Sequence, residues 1–148
     1  SLPDAEYLAL ASQVLEMSAG RAQVMLKGPL EWADDFPDAG WHLTASQLVR
    51  HAGAGRPIEP GRWLAASCHD RAELELAKQM GVDFIVLSPI LATASHPEAT
   101  PMGWQCAADL LLGFAQPAYL LGGLGPSDMA RASQIGAQGV AGISAFWP

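Results

Sequence analysis

Apolar residues fall into short runs of two kinds, separated by stretches rich in glycine and proline. From Asp4 to Ala19, Tyr7, Leu8, Ala11, Val14, Leu15 and Ser18 recur near helical spacing, after a Pro3-Asp4 start and before Gly20. Six other runs predict strands: Gln23–Leu26, Gly40–Leu43, Trp63–Ser67, Phe84–Leu87, Ala118–Leu121 and Val140–Ile143. Helices are predicted between them at Ser46–His51, Asp70–Met80, about Gly103–Leu112 and about Pro126–Gln134. The second of these carries Asp70 as N-cap with Glu73 three residues on. The stretches Gly53–Gly61 and Ser88–Met102 read as loops. Strands that are continuously apolar and alternate with helices, with no hairpin signal, predict a parallel sheet covered by helices. A doubly wound sheet and a (β/α)8 barrel both satisfy that pattern, and the barrel would be two strands short.

Composition narrows the classes of function. The 148 residues make one domain, 1–148, and half of them are apolar with 16% charged, which excludes intrinsic disorder. No apolar run approaches the roughly 18–20 residues of a membrane span, so no membrane partner is expected. A formal charge of −7 offers no basic surface to a nucleic-acid backbone, so none is expected as a partner either. Cys68 and Cys106 lack the number and spacing of a disulfide framework or zinc site, and read as two small buried apolar side chains in a reducing compartment. With no basic and apolar leader at Ser1-Leu2-Pro3-Asp4, the expected location is the cytoplasm.

In either parallel fold, chemistry gathers at the C-terminal ends of the strands. Gly122-Gly123 follows one strand directly and Gly142-Ile143-Ser144 ends the next, a pattern that lets exposed N–H groups approach an anion. Tight turns packed with small residues account for the same spacing. Thr93-Ala94-Ser95-His96 offers two hydroxyls and an imidazole to a phosphate or pyrophosphate, or a solvated loop. His69, between a strand and a capped helix, is a candidate acid, base or phosphate donor, whereas His42 inside an apolar strand reads as structural. The four histidines show no metal-ligand spacing, and no Gly-x-Ser-x-Gly elbow or Walker loop is present.

Taken in order, these segments resemble a known family. Asp38-Ala39-Gly40-Trp41-His42-Leu43 is similar to the "ADGVHL" strand of thiamine phosphate synthases and their TenI-type relatives. Ala66-Ser67-Cys68-His69-Asp70 with Glu73, Leu74 and Ala77 resembles "VSxHtxeEaxxA", and Gly81–Ile85 resembles "GADYi". Ser88–His96 is similar to the "GPvfpTxTK" loop, Tyr119–Leu124 to "vaIGGI" and Gly136–Ala145 to "GAdGvavISa". The wording Trp41-His42-Leu43-Thr44, Ser67-Cys68-His69-Asp70 and Ser95-His96-Pro97 resembles most the TenI-like extension that follows a Nudix (MutT-type) hydrolase module in some bacterial proteins. No Nudix box is visible in this chain.

The resemblance implies a (β/α)8 TIM barrel of the thiamine phosphate synthase type, truncated at its N-terminus. Gln23–Leu26 would be the third strand, with the first two absent from these residues. It further implies that Gly122, Gly123, Gly142, Ile143 and Ser144 hold the phosphate of a thiazole phosphate or of thiamine phosphate. Ser67, Thr93, Ser95 and His96 would face the pyrophosphate of a pyrimidine substrate.

The departures are specific. Where the synthases carry two magnesium aspartates, this chain has Gly28, preceded by Lys27, and Gln47; the pyrophosphate lysine is His96. The catalytic histidine of the tautomerase subgroup is Pro89. No catalytic residue is assigned, the candidates being Lys27, His69 and His96. No metal site is expected, and any magnesium would need ligands from outside these residues. The expectation is a synthase-like domain that binds a phosphorylated thiazole or thiamine phosphate, with synthase turnover absent or very slow. The competing expectation is a non-catalytic ligand-binding or regulatory domain of a Nudix hydrolase fusion acting on nucleotide or thiamine-related diphosphates. Another phosphate-sugar barrel enzyme, such as an epimerase, is argued against by the Thr93–His96 loop. Six strands leave two open edges, so a homo-oligomer covering the missing strands is expected, or else a first helix that swings into the gap.

Overall fold

A computed structural model describes residues 2–146. Helix α1 (Asp4–Ser18) is followed by strand β1 (Met25–Leu26), a 3-10 segment at Leu30–Asp35, strand β2 (Gly40–Leu43), helix α2 (Ala45–Arg50) and strand β3 (Leu64–Cys68). Then come helix α3 (Arg71–Met80), strand β4 (Phe84–Leu87), helix α4 (Gly103–Leu111), strand β5 (Ala118–Leu121), a 3-10 turn at Pro126–Asp128 leading into helix α5 (Met129–Gln134), and strand β6 (Gly139–Ala141).

All six strands are parallel, and they lie side by side in chain order, β1-β2-β3-β4-β5-β6. That order decides between the two architectures the pattern allowed. A doubly wound sheet reverses its order at a switch point, whereas a barrel winds in one direction throughout. The chain is therefore a curled part of a (β/α) barrel, and among the described residues β1 and β6 are its two edges.

Register separates the two faces of the sheet. Trp41, Leu43, Leu64, Ala66, Cys68, Ile85, Leu87 and Leu120 alternate onto one face, where each is fully buried. Leu48 of α2, Leu74 and Ala77 of α3, Ala107 of α4 and Ala132 of α5 complete that layer of the core. The opposite, concave face carries His42, Ser67, Phe84, Val86, Tyr119 and Leu121, all only half-buried. There Trp63, Phe84 and Tyr119 form an aromatic ladder across β3 to β5, with ring centroids 6.2 and 5.5 Å apart. The sequence predicts strands buried on both faces; the concave face is half open because six strands enclose only part of a barrel.

Local differences have local causes. The 3-10 segment at Leu30–Asp35 lies in a stretch with no predicted element, and it buries Ala33. Helix α2 starts one residue earlier than its pattern suggests because Thr44 caps it, accepting from Gln47 N while Gln47 returns its side chain to Thr44 N. Helix α1 packs Tyr7, Leu8 and Leu15 on the core, and the Tyr7 hydroxyl bridges the backbone N–H (3.1 Å) and carbonyl (2.8 Å) of Lys27 at the end of β1.

Gly40 sits where β1, β2 and the start of β3 meet most closely. A Cβ there would lie 2.3 Å from Met25 Sδ and 2.8 Å from the Trp63 carbonyl oxygen. Gly40→Ala should therefore cost about 1–3 kcal/mol through overpacking, read as a lowered urea midpoint with an unchanged slope. An unaltered midpoint would show that β1 is not seated as described.

Candidate functional site

The long loop after β4 lies across the end of β5. Ile90 N donates to Leu121 O (2.9 Å) and Leu91 N to Gly122 O (3.0 Å), while Met102 N and Gly103 N close back onto Pro89 O and Ile90 O, both at 2.9 Å. Glycine is needed at the contact. At Gly123, with φ +65°, a Cβ would stand 2.4 Å from the Ala92 carbonyl oxygen; at Gly122 it would stand 2.9 Å from Pro89 Cα.

Between this loop and the ends of β5 and β6 lies a cavity of about 690 Å³. Gly122, Gly123, Gly142, Ile143 and Ser144 all line it, as do Thr93, Ser95, His96 and His69. Among the described residues, the backbone N–H groups of those first five residues donate to no carbonyl outside the strand ladders and to no side chain. Unengaged N–H groups on glycine-rich turns suit an oxyanion. No lysine or arginine lines the cavity; its titratable groups are His69, His96, Glu98 and Asp128. Asp128 is turned to the protein, accepting from Gly125 N at 2.9 Å. Sequence reasoning passed over Gly125, Ser127 and Asp128, which Gly125-Pro126, read as a helix start after the strand, could have flagged.

His69 is held by Glu73. One carboxylate oxygen accepts from the His69 backbone N–H (2.7 Å) and faces its Nδ1 (2.8 Å), while Asp70 Oδ1 accepts from Glu73 N as N-cap. The reciprocal bond of the capping arrangement thus lands one residue before the cap. His96 is largely exposed and 3.6 Å from Glu98. Of the two cysteines expected to be buried, Cys68 is, and Cys106 of α4 is exposed. Burial, then Glu73 and Asp70, push the Cys68 thiol up to about 12, which disfavours its thiolate.

Two expected site residues lie elsewhere. Ser67 is not on the cavity lining; its Oγ meets His42 Nε2 at 2.9 Å on the concave face. Lys27 lines a second cavity of about 560 Å³ at the ends of β1 and β2, with Gly28, Thr44, Ser46, Gln47, Arg50 and His51. The magnesium that the resemblance implies would sit here, and the residues do not fit it. Gln47 Nε2 donates to Gly28 O at 2.8 Å and its Oε1 accepts from Thr44 N at 3.0 Å, so its amide is spent. At residue 28 even a Cβ would come within 3.0 Å of Trp32 Cε3. Among the described residues, no three His, Cys, Asp or Glu side chains converge as a metal site.

A one-directional parallel (β/α) half-barrel with a ligand-sized cavity at the C-terminal ends of its strands defines a TIM-barrel domain. Residues 1–146 match the family model of thiamine monophosphate synthase (TMP-TENI), and the chain belongs to that family. An Aquifex aeolicus protein carrying the provisional name thiamine-phosphate synthase 2 is 37% identical over 98% of this chain and 77% of its own length. A thiamine-phosphate synthase of Methanoculleus marisnigri is 30% identical over 97% of this chain and 69% of its own. The solved structure of a thiamine phosphate pyrophosphorylase from Pyrococcus furiosus superposes with a TM-score of 0.75 at 16% identity, covering 97% of this chain and 68% of that one. No helix among the described residues is long and apolar enough to cross a membrane.

His42 supplies a pH-dependent test of the concave face. Burial and, secondarily, the Lys27 ammonium lower its pKa from 6.5 to about 4. Between those two values the unfolded chain takes up a proton that the native imidazole refuses, so stability falls as pH drops through that window and is unaffected above it. The loss is on the order of 2–3 kcal/mol and should be missing in His42→Gln. Urea melts of both proteins at about pH 7 and about pH 4.5 give the comparison; equal losses would remove His42 as the cause.

Proposed function

We propose that this domain binds the phosphate of a thiazole phosphate or of thiamine phosphate in the cavity at the ends of β5 and β6, and that synthase turnover is absent or very slow. The observation that carries the first half is that Gly122, Gly123, Gly142, Ile143 and Ser144 line one cavity of about 690 Å³, their backbone N–H groups meeting, among the described residues, no carbonyl outside the strand ladders and no side chain. Thr93, Ser95 and His96 add side-chain donors from the facing loop, and His69, its Nδ1 held by Glu73, lines the cavity as the candidate acid or base. The names of the family and of the relatives support the ligand class.

The second half rests on charge. Expelling pyrophosphate needs strong electrostatic stabilisation of the leaving anion, which usually contributes more to such catalysis than any other effect. Neutral Gly28 and the spent amide of Gln47 do not hold magnesium as two carboxylates would. The same observation is compatible with the second reading, a non-catalytic ligand-binding or regulatory domain; the Nudix hydrolase module of that reading rests on the wording of Trp41–Thr44, Ser67–Asp70 and Ser95–Pro97 alone.

A thermal-shift panel tests binding: thiamine phosphate and thiazole phosphate should raise the melting temperature, and Ser144→Asp, which aims a carboxylate at the cavity, should abolish the rise. No shift from either compound would refute the reading. Mixed with a pyrimidine pyrophosphate, thiazole phosphate and magnesium, the protein should yield little or no thiamine phosphate. Robust product would overturn the turnover claim and with it the second reading.

Association is the remaining element of the proposal. Leu10, Val14 and Met17 lie exposed on one stripe of α1, and the concave face with its two sheet edges is half open. Multi-angle light scattering at high concentration should give a homo-oligomer; a monomer throughout would refute it.

A further inference from the structure

The chain has eight lysines and arginines against fifteen acidic residues, so where each cation is committed carries information. Arg62 donates to the Phe36 and Ala39 carbonyls, Arg71 to Leu110 O and Asp109 O, and Arg21 to Met17 O. Arg56 pairs with Asp83 at 2.7 Å, and Arg131 lies 4.6 Å over the Trp104 ring. Lys78, in the last turn of α3, has no side-chain partner among the described residues, but it lines neither cavity. Lys27 and Arg50 remain. Neither side chain has a hydrogen bond or ion pair among the described residues, and both line the cavity at the ends of β1 and β2.

Thr44, Ser46 and His51 also line that cavity, with Glu31 its single carboxylate; the Thr44 hydroxyl is held by Gln47 N and by the Ser46 hydroxyl. Two unpaired cations repel a divalent ion and attract an anion. The Tyr7 hydroxyl pins the Lys27 backbone from both sides, so the root of that side chain is fixed by the packing of α1.

We propose that the cavity between the ends of β1 and β2 is a metal-free oxyanion subsite, in which Lys27 and Arg50 bind a phosphate or pyrophosphate group directly. This rests on the reading that the ligand is phosphorylated. It gives the mouth of the half-barrel two anion positions of different kinds, one made of neutral N–H groups and one of side-chain cations. Where the aspartates of the synthases would bridge to an anion through a metal, side-chain charge here meets it without one.

Isothermal titration of inorganic pyrophosphate and of orthophosphate into the full chain, in EDTA and again in excess magnesium, tests the subsite. Pyrophosphate should bind in EDTA, and magnesium, which competes for the anion, should weaken rather than strengthen it. The exposed pair Lys27→Met and Arg50→Gln, shown folded by its melting curve, should raise the Kd for pyrophosphate roughly tenfold or more. Ser144→Asp should leave that Kd nearly unchanged while abolishing the thiamine phosphate response. Orthophosphate that binds as tightly as pyrophosphate, with the same sensitivity to the pair, would assign the subsite to a single phosphoryl group. Binding that requires magnesium, or that the paired variant leaves intact, would overturn the proposal. Pyrophosphate lost only in Ser144→Asp would do so too, while leaving the reading of the larger cavity standing. A thiamine phosphate response missing beside intact pyrophosphate binding would instead refute that reading alone.

Discussion

The contact of the β4–α4 loop with the end of β5 is the constraint on which the larger cavity depends. Two backbone hydrogen bonds, from Ile90 to Leu121 and from Leu91 to Gly122, extend the ladder beyond the strands. They can form only because residues 122 and 123 have no Cβ to strike Pro89 and Ala92. The loop is thereby drawn over the strand ends, and Met102 and Gly103 fasten its return to Pro89 and Ile90. Beyond the strand ladders, the same two glycines give their own N–H groups to no carbonyl or side chain among the described residues. One local property, the absence of a side chain, thus closes the wall and furnishes donors for the floor.

Charge divides the mouth of the half-barrel. At the β5–β6 side, donors are backbone N–H groups and hydroxyls, and no lysine or arginine is present on the lining. At the β1–β2 side, Lys27 and Arg50 stand without partners among the described residues. In a chain of formal charge −7, with most of its arginines bound to carbonyls, a carboxylate or an aromatic ring, such a concentration shapes the field that a negatively charged ligand meets. The His42–Ser67 pair lies on the intervening strands and feels it: the Lys27 ammonium adds to burial in keeping that imidazole neutral.

Capping explains why the second cavity has the chemistry it has. Gln47 occupies the third position of a short helix, where its amide answers Thr44 N and its other end reaches Gly28 O. A carboxylate at that position could accept from Thr44 but could not donate to Gly28, so glutamine joins α2 to the end of β1 by a bond an aspartate would not make. The cost is a free oxygen ligand, and the gain is a rigid joint beneath Lys27.

By itself the sequence determined the periodic elements and the parallel sheet, because continuous apolar strands, helix caps such as Asp70 and glycine stops are local signals that need no partner to be read. It also singled out Gly122-Gly123 and Gly142–Ser144, since a glycine pair directly after a strand marks a close backbone approach. The tertiary structure decided what the residue pattern left open. The pattern allowed a barrel or a doubly wound sheet and the family resemblance implied the barrel; strand order, a property of pairing between distant segments, decides for it. Ser67, named for a ligand, faces His42 instead, and Lys27 lies in a different cavity from His69 and His96, because which residues converge depends on register and on where each strand ends. Arg50 carried no signal at all, since a charged residue in the last turn of a helix is ordinary in sequence. Only the commitment of its fellow arginines elsewhere shows that its charge is free.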